Sequence, residues 1–215
     1  MKKISRPGWP LNFLFAGAMA IPLSSGSDWK ILAYRKIPAN IVTFGESGMS
    51  VKVQKSASPI MYKLPETKKI QSIEVKGKLK GVIQFAGKQG EKKQDDFVLR
   101  VGVVVKGDKT LNFFQRSIAP KWILELHSLA PQGEGVDHIE FFNVVSDPAL
   151  VGKSRKHPLS DLLYENFVWF SKGEGEFSFS TTLKKPLDGA AIWLSIDGDD
   201  TGAEYEIELT SLVLN

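Results

Sequence analysis

The stretch 95-DDFVLRVGVVV-105 alternates between large apolar side chains and other residues with a period of two. The apolar residues that share one parity are Phe97, Leu99, Val101, Val103 and Val105. Because successive side chains of a β-strand point to opposite faces, this pattern predicts a strand with one fully apolar face. Such a face has to be covered by another layer of the protein, so the stretch favours a packed β-sheet architecture.

The same alternation recurs through most of the chain. It is clearest in 176-EFSFSTTL-183 and 204-EYEIELTSLVL-214, and weaker elsewhere. The weaker candidate strands are 30–37, 50–56, 59–64, 70–79, 137–145 and 190–196. Turn residues separate these short segments, as in proteins built mainly from antiparallel strands.

Two stretches predict short helices instead. In 119-APKWILELHSLA-130, Pro120 suits the first turn of a helix and the apolar residues recur at helical spacing. In 160-SDLLYENFVWF-170, Ser160 can cap a second helix. The sequence as a whole therefore predicts an all-β fold, namely an antiparallel β-sandwich of jelly-roll or Greek-key type with two short helices.

The first twenty residues predict a secretory signal peptide. Lys2, Lys3 and Arg6 precede an apolar run that ends in the small-residue pattern Ala18-Met19-Ala20. The run is shorter than the ~20 apolar residues that a membrane-spanning helix needs. We therefore expect removal of residues 1–20, with cleavage as late as residue 27, and a single β-sandwich domain at 28–215. That domain is expected in the periplasm or outside the cell, without a membrane span.

Charge and cysteine content narrow the choice of partners. The formal net charge of +4 falls to +1 when the three basic residues of the predicted signal are removed. A nucleic-acid-binding face needs clustered Lys and Arg, so we expect no nucleic-acid partner. The chain has no Cys, and the exported domain must therefore be held together by its core rather than by disulfides.

The order of residue types in 197-DGDDTGAEYEIE-208 resembles that of a calcium-binding loop. An EF-hand needs a helix on each side, with Glu208 folding back onto the ion. Both flanks alternate as strands instead, which would put Glu208 ~20 Å beyond Gly202. We therefore predict a hairpin turn that binds calcium weakly, or a solvated turn whose Asp side chains bond to local backbone. The candidate metal ligands are Asp197, Asp199, Asp200 and the hydroxyl of Thr201.

Asp96, Arg100 and Trp193 are the candidate ligand-binding residues. Asp96 and Arg100 share a strand parity, and Arg100 can donate to a carboxylate or a sugar hydroxyl. The alternative is that Arg100 closes an internal ion pair with one of Glu204, Glu206 and Glu208. In 190-AAIWLSI-196, Trp193 lies on the face opposite the apolar one, where it can stack on a sugar unless a helix or loop covers it. The tryptophans with apolar neighbours, Trp29, Trp122 and Trp169, are interpreted as core residues.

Several short motifs occur together along the chain. They are 28-DWKILAYRKIP-38, 54-QKSASPIMYKL-64, the Asp-Asp-aromatic start of 95–105 and the late Asp-x-Asp-x-Thr-Gly turn. In this combination the chain resembles a family of secreted bacterial proteins of unknown function. The resemblance implies a β-sandwich similar to carbohydrate-binding jelly rolls and no established activity. From about Phe114 to Lys172 the sequence departs from that pattern.

No catalytic set stands out in the sequence. The three His residues share no metal-ligand spacing, and serine-nucleophile and phosphate-binding motifs are absent. The leading hypothesis is an exported, non-catalytic protein that binds a glycan or another envelope component. The rival is a jelly-roll hydrolase or lyase acting on polysaccharide, with carboxylates from Asp96 and Glu140 or with His138 as base. A hydrolase of this kind holds two carboxyl groups about 5–10 Å apart.

Overall fold

The structure is a computed structural model that describes residues 17–215. Its strands are β1 (Met19–Ala20), β2 (Trp29–Ile31), β3 (Ile41–Gly45), β4 (Gly48–Gln54), β5 (Ala57–Lys80), β6 (Leu99–Gly107), β7 (Gly135–Val145), β8 (Ser154–Lys156), β9 (Leu163–Phe170), β10 (Gly175–Asp197) and β11 (Glu204–Leu214). Its helices are α1 (Phe113–Ile118) and α2 (Lys121–Ser128), with a 3₁₀ turn at Pro148–Leu150. No helix in the described part of the chain is long and apolar enough to cross a bilayer.

Two long strands connect the two layers of a β-sandwich. β5 has 24 residues and β10 has 23, and they pair antiparallel along most of their length. Around one half of this ladder, the strands β2-β5-β10-β6-β7-β9-β8 form the first layer. Around the other half, the strands β3-β4-β11-β5-β10 form the second layer, with β1 beside β11. The predicted strands 59–64 and 70–79 are therefore one strand, as are 176–183 and 190–196.

The main core lies between these two layers. Its fully buried aliphatic side chains include Leu99, Val101, Val103, Ile192 and Leu194 from one layer and Val51, Val53, Ile207 and Leu209 from the other. Burying each such side chain contributes ~1.5–3 kcal/mol, so the facing apolar surfaces are the main source of stability. The predicted all-β sandwich is confirmed, with the parallel pair β7 and β9 as an exception to antiparallel order.

A second apolar cluster lies on the outer face of the first layer. Ile139, Phe141 and Trp193 pack there, and α2 covers them through Leu126 and the following Leu129. Phe97 does not share the main core with Leu99 as its parity predicts, because β6 begins only at Leu99. It packs instead with Val145 and Phe167.

The helix predicted at 160–170 is wrong. Residues 163–170 form β9, which pairs with β7 on one side and with β8 on the other. Two neighbouring strands override the weak helical spacing, because strand formation depends on the pairing partners that are present. The helix predicted at 119–130 is confirmed as α2. The helix α1 was not predicted, although Asn112 and Gln115 form a reciprocal capping box at its start.

The sandwich extends toward the N terminus beyond Asp28. Strand β1 pairs with β11, and Ile21 and Leu23 are buried in the main core. The indole of Trp29 donates to the carbonyl of Pro22 at 2.7 Å. The predicted signal peptide falls mostly on residues 1–16, which lie outside the described residues.

This packing sharpens the prediction of where the exported protein begins. Cleavage after Ala20 keeps Ile21 and Leu23, whereas cleavage at 24–27 removes both. We expect mass spectrometry of the exported protein to find Ile21 at the N terminus. A chain that starts at Asp28 should lose at least about 2 kcal/mol of unfolding free energy relative to one that starts at Ile21, because two buried aliphatic side chains are missing. Equal urea denaturation curves for the two chains would contradict this.

Candidate functional site

Two arginines and three carboxylates form a largely buried ion-pair network at one end of the first layer. Arg100 of β6 donates to Asp197 at 2.5 Å, and its Nη2 lies 3.3 Å from the carboxylate of Asp95. Arg155 of β8 donates to Asp95 and to Glu165 of β9, both at 2.6 Å. The five residues thus join three strands, the end of β10 and the loop before β6.

Two aromatic rings and the side chain of Asn143 complete the network. The guanidinium of Arg100 lies 4.4 Å from the ring centre of Phe97, and that of Arg155 lies 5.6 Å from the ring centre of Phe167. Such cation–π contacts strengthen when water is excluded. Asn143 adds a hydrogen bond to Glu165 at 2.8 Å. Both guanidinium groups are therefore held from several sides.

The pKa values of Asp95 and Asp197 shift in opposite directions. Burial raises the pKa of Asp197 to about 7, against the opposing charge of Arg100. Burial also favours the neutral form of Asp95, but a hydrogen bond from His157 and the charge of Arg100 hold its pKa below the ordinary value. Burial lowers the pKa of Arg100, yet the carboxylates of Asp197 and Glu165 raise it overall. Asp95 is therefore ionised and Arg100 is charged at neutral pH.

Asp96 holds the acidic loop in place. Its Oδ2 accepts the backbone N–H of Thr201 at 2.7 Å and the Thr201 hydroxyl at 2.6 Å. Its Oδ1 lies 3.3 Å from the backbone N of Asp200. Asp96 is 1 % exposed, so its carboxylate is committed to the loop rather than to Arg100 or to solvent.

The acidic loop at 198–203 is not a hairpin turn. β10 and β11 lie on opposite sides of β5, so the loop crosses the end of β5 between them. Gly198 donates to the carbonyl of Ser56 at 3.0 Å, and Lys55 donates to the carbonyl of Ala203 at 2.9 Å. Gly202 has a φ of +70°, as the prediction of a chain reversal at this glycine requires. The strand order, which the sequence does not show, makes the loop a crossover.

The predicted set of calcium ligands does not converge. The carboxylate of Asp197 is paired with Arg100 and accepts the N–H of Phe97 at 3.0 Å. The Thr201 hydroxyl donates to Asp96 instead of facing Asp199 and Asp200. Across residues 17–215, no group of three or more His, Asp and Glu side chains is arranged to hold a metal ion. The four predicted ligands therefore do not form one calcium site.

A cavity of about 350 Å³, here called the acidic cavity, opens over the ion-pair network. It brings together all three candidate ligand-binding residues and the carboxylates of the acidic loop. Its polar lining comprises Asp95, Asp96, Arg100, His157, Ser160, Glu165, Ser195, Asp197, Asp199 and Asp200. Its aromatic lining comprises Tyr34, Trp122, Phe141 and Trp193.

The two tryptophans of the acidic cavity differ from their predicted places. Trp193 faces away from the main core, as its parity predicts, but it is 4 % exposed beneath α2. It therefore forms the inner wall of the cavity and is not an exposed stacking platform. Trp122, interpreted from sequence as core, is half-buried and forms an accessible wall together with Tyr34.

Sequence reasoning missed the partners of Arg100. Glu165 was not recognised because residues 160–170 were predicted as a helix. A strand prediction would have placed Glu165 on the same face as Leu163. Arg155 and His157 lie in a short basic segment that carries no spacing signal. The residues suggested as partners, Glu204, Glu206 and Glu208, lie on β11, where the first two pair with Lys55 and Lys80.

A second cavity of about 580 Å³ lies on the other face of β7. Ile139 and Phe141 line the acidic cavity, whereas His138 and Glu140, which alternate with them, line this one. The carboxylates of Asp96 and Glu140 therefore belong to different cavities and do not form the pair that a hydrolase needs. The imidazole of His138 lies 2.9 Å from Asp137 and 3.0 Å from Glu140.

Comparisons with known proteins assign no family to the chain. No family model and no curated protein matches it, so the resemblance to secreted bacterial proteins of unknown function is not confirmed.

Solved structures that are similar to the chain include three carbohydrate-binding proteins. One is a family 11 carbohydrate-binding module from Clostridium thermocellum, in complex with a β-1,3-1,4-mixed-linked tetrasaccharide, at 9% identity over 92% of this chain and 95% of that chain, with a TM-score of 0.42. Another is the xylan-binding module CBM15, at 8% identity over 92% and 95%, with a TM-score of 0.37. The carbohydrate recognition domain of Emp47p is 9% identical over 91% and 94%, with a TM-score of 0.38. None of these likenesses assigns a ligand to this chain.

Removing the charge of Arg100 should destabilise the fold strongly. Arg100→Met leaves Asp197 without its guanidinium partner, whereas Glu165 keeps that of Arg155. Breaking a buried pair in this way costs about 3–5 kcal/mol. The matched control is Lys55→Met, which removes the exposed pair with Glu204 and should cost less than about 1 kcal/mol. Urea denaturation compares the two variants. Similar losses for both would mean that the network contributes no more than a surface ion pair.

The His138 cluster predicts a pH-dependent stability. Burial favours the neutral imidazole, but hydrogen bonds to Glu140 and Asp137 raise the pKa of His138 above its ordinary value. A raised pKa in the folded state means that the contribution is full below about pH 6.5 and is lost as pH rises through the folded pKa. We expect wild type to lose more unfolding free energy than His138→Gln as pH rises through this window. Parallel pH profiles from urea denaturation would contradict the prediction.

Proposed function

We propose that this chain is an exported, non-catalytic binding protein that holds a saccharide in the acidic cavity. The observation that carries the proposal is the convergence of Asp96, Arg100 and Trp193 with the acidic loop around one cavity. Asp96 and Arg100 are distant in sequence from Trp193 and the acidic loop. The ion pair of Arg100 with Asp197 and the hydrogen bonds of Asp96 to Thr201 hold these segments together.

The accessible walls of the acidic cavity offer the two kinds of contact that a sugar needs. The faces of Trp122 and Tyr34 provide apolar surface for the C–H groups of a sugar ring. Asp199 and Asp200 provide carboxylate oxygens that accept hydrogen bonds from sugar hydroxyls. Aromatic surface beside polar groups is the combination by which a cavity orients a small ligand.

The buried residues keep these walls in place. Asp96 binds the backbone of the loop that carries Asp199 and Asp200. Arg100 ties the end of β10 to the loop before β6 through Asp197 and Asp95. A site that is already ordered has less conformational entropy to lose on binding, which favours affinity. Asp96 and Arg100 thus act mainly as positioning residues.

The volume of the acidic cavity limits the size of its ligand. At about 350 Å³ it lies near the lower end of the ~300–1,000 Å³ range of small-molecule sites. It suits the end of a saccharide chain or a short oligosaccharide. Together with the predicted signal peptide, this supports a glycan of the cell envelope as the partner, met in the periplasm or outside the cell.

Glycan-array screening of the exported protein tests the proposal, followed by calorimetry with the best oligosaccharide. Trp122→Ala and Asp199→Asn should each weaken binding at least about tenfold, a loss of ~1.4 kcal/mol, because each removes one wall contact. The control is Asp188→Asn, which removes an exposed carboxylate outside the cavity. Binding that is equally weakened by the control, or no binding to any glycan, would overturn the proposal.

One observation favours polysaccharide hydrolysis as a second candidate function. The pKa of Asp199 is raised by burial and by the charge of Asp96, whereas the pKa of Asp95 is held low. Two carboxyl groups with pKa values shifted apart are typical of a general acid and an ionised partner. However, both oxygens of Asp95 already bind donors, at 2.6 Å from Arg155 and 3.0 Å from His157, which weakens it as a nucleophile or base.

An assay for reducing ends separates the two functions. If the protein binds an oligosaccharide without cleaving it, the result supports the non-catalytic binding function. If wild type releases reducing ends and Asp199→Asn binds without releasing them, the chain is an enzyme and the non-catalytic proposal fails.

A further inference from the structure

The second cavity carries the opposite charge from the acidic cavity. Lys153, Lys184 and Lys185 lie around its rim, and it is here called the lysine-rimmed cavity. Glu140 is the only carboxylate in its lining, whereas six carboxylates and one arginine line the acidic cavity. No residue lines both cavities, so the two are separate sites.

A bulge in β10 carries two of these lysines. Thr182 lies opposite Ser72 of β5, and Leu187 lies opposite Ile70, so the four residues 183–186 face the single residue Gln71. The backbone N–H of Gln71 bonds to the carbonyl of Asn215 at 2.5 Å instead. Bulges redirect side chains and occur often beside binding sites.

The rim lysines are free to meet a ligand. Within residues 17–215, none of Lys153, Lys184 and Lys185 lies in an ion pair, in contrast to Lys80, Lys106 and other lysines of the same chain. Lys184 is nevertheless close enough to Glu140 for its charge to act on that carboxylate. Their combined charge attracts an anion to the rim of the cavity.

The floor of the cavity favours a ligand that carries hydroxyl groups in addition to its negative charge. Asn166 donates to Glu140 at 2.6 Å, and Thr181, Thr182 and Ser154 add hydroxyls to the lining. A carboxylate on the floor repels a bare phosphate but accepts hydrogen bonds from sugar hydroxyls. A ligand that satisfies both features has acidic groups at the rim and hydroxyls at the floor.

We propose that the lysine-rimmed cavity binds an acidic saccharide made of uronate units. The uronate carboxylates pair with Lys153, Lys184 and Lys185, and the sugar hydroxyls bind Glu140 and the neighbouring hydroxyl side chains. The volume of about 580 Å³ accommodates a longer segment than the acidic cavity does. This site does not depend on saccharide binding in the acidic cavity, because the two share no residue.

Titration of the exported protein with a galacturonate oligomer tests the inference. The double variant Lys184→Gln, Lys185→Gln should bind the oligomer at least about tenfold more weakly, a loss of ~1.4 kcal/mol. The matched control is the double variant Lys76→Gln, Lys78→Gln. It removes the same amount of charge from exposed positions of β5 outside this cavity. The affinity of wild type should also fall with salt, because exposed charges are screened.

Comparison ligands and a second variant decide what kind of site this is. A neutral maltose oligomer should bind more weakly than the galacturonate oligomer, and inorganic phosphate should not compete with it. Trp122→Ala should leave galacturonate binding unchanged, which separates this site from the acidic cavity. Phosphate that competes as well as the oligomer, equal losses in both double variants, or no galacturonate binding would each overturn the inference.

Discussion

The buried guanidinium of Arg100 is the constraint on which the candidate site depends. A charge that is 8 % exposed is stable only when carboxylates surround it, and this structure supplies them from the loop before β6, from β9 and from the end of β10. Asp95 and Glu165 in turn bind Arg155, which attaches the short edge strand β8. One unfavourable burial therefore fixes the relative positions of five chain segments, and the acidic cavity lies over the point where they meet.

Strand alternation explains how one sheet carries two different cavities. Along β7, Ile139 and Phe141 point to the face covered by α2, whereas His138 and Glu140 point to the other face. Each face then collects its own charges from neighbouring elements. Carboxylates gather around one cavity and lysines around the other, so the two cavities differ in charge although the same strand lines both.

Much of the fold could be predicted from local sequence. Alternation located β4, β7 and β11 closely, and the β-sandwich class followed from the number of such strands. The failures came where neighbours decide the outcome. Residues 163–170 have weak helical spacing, yet pairing on both sides makes them a strand, and the loop after β10 is a crossover because β5 lies between β10 and β11.

The sequence by itself determined that Leu99, Val101 and Val103 face the main core, that Trp193 points away from it, and that Gly202 permits a reversal of the chain. Each of these is local, because side-chain parity and backbone freedom depend on a few consecutive residues. Only the tertiary structure decided that Arg100 pairs with Asp197, 97 positions away, and that Asp96 binds the acidic loop. Burial of a charge demands a partner without specifying which one, and the strand order brings these groups within hydrogen-bonding distance.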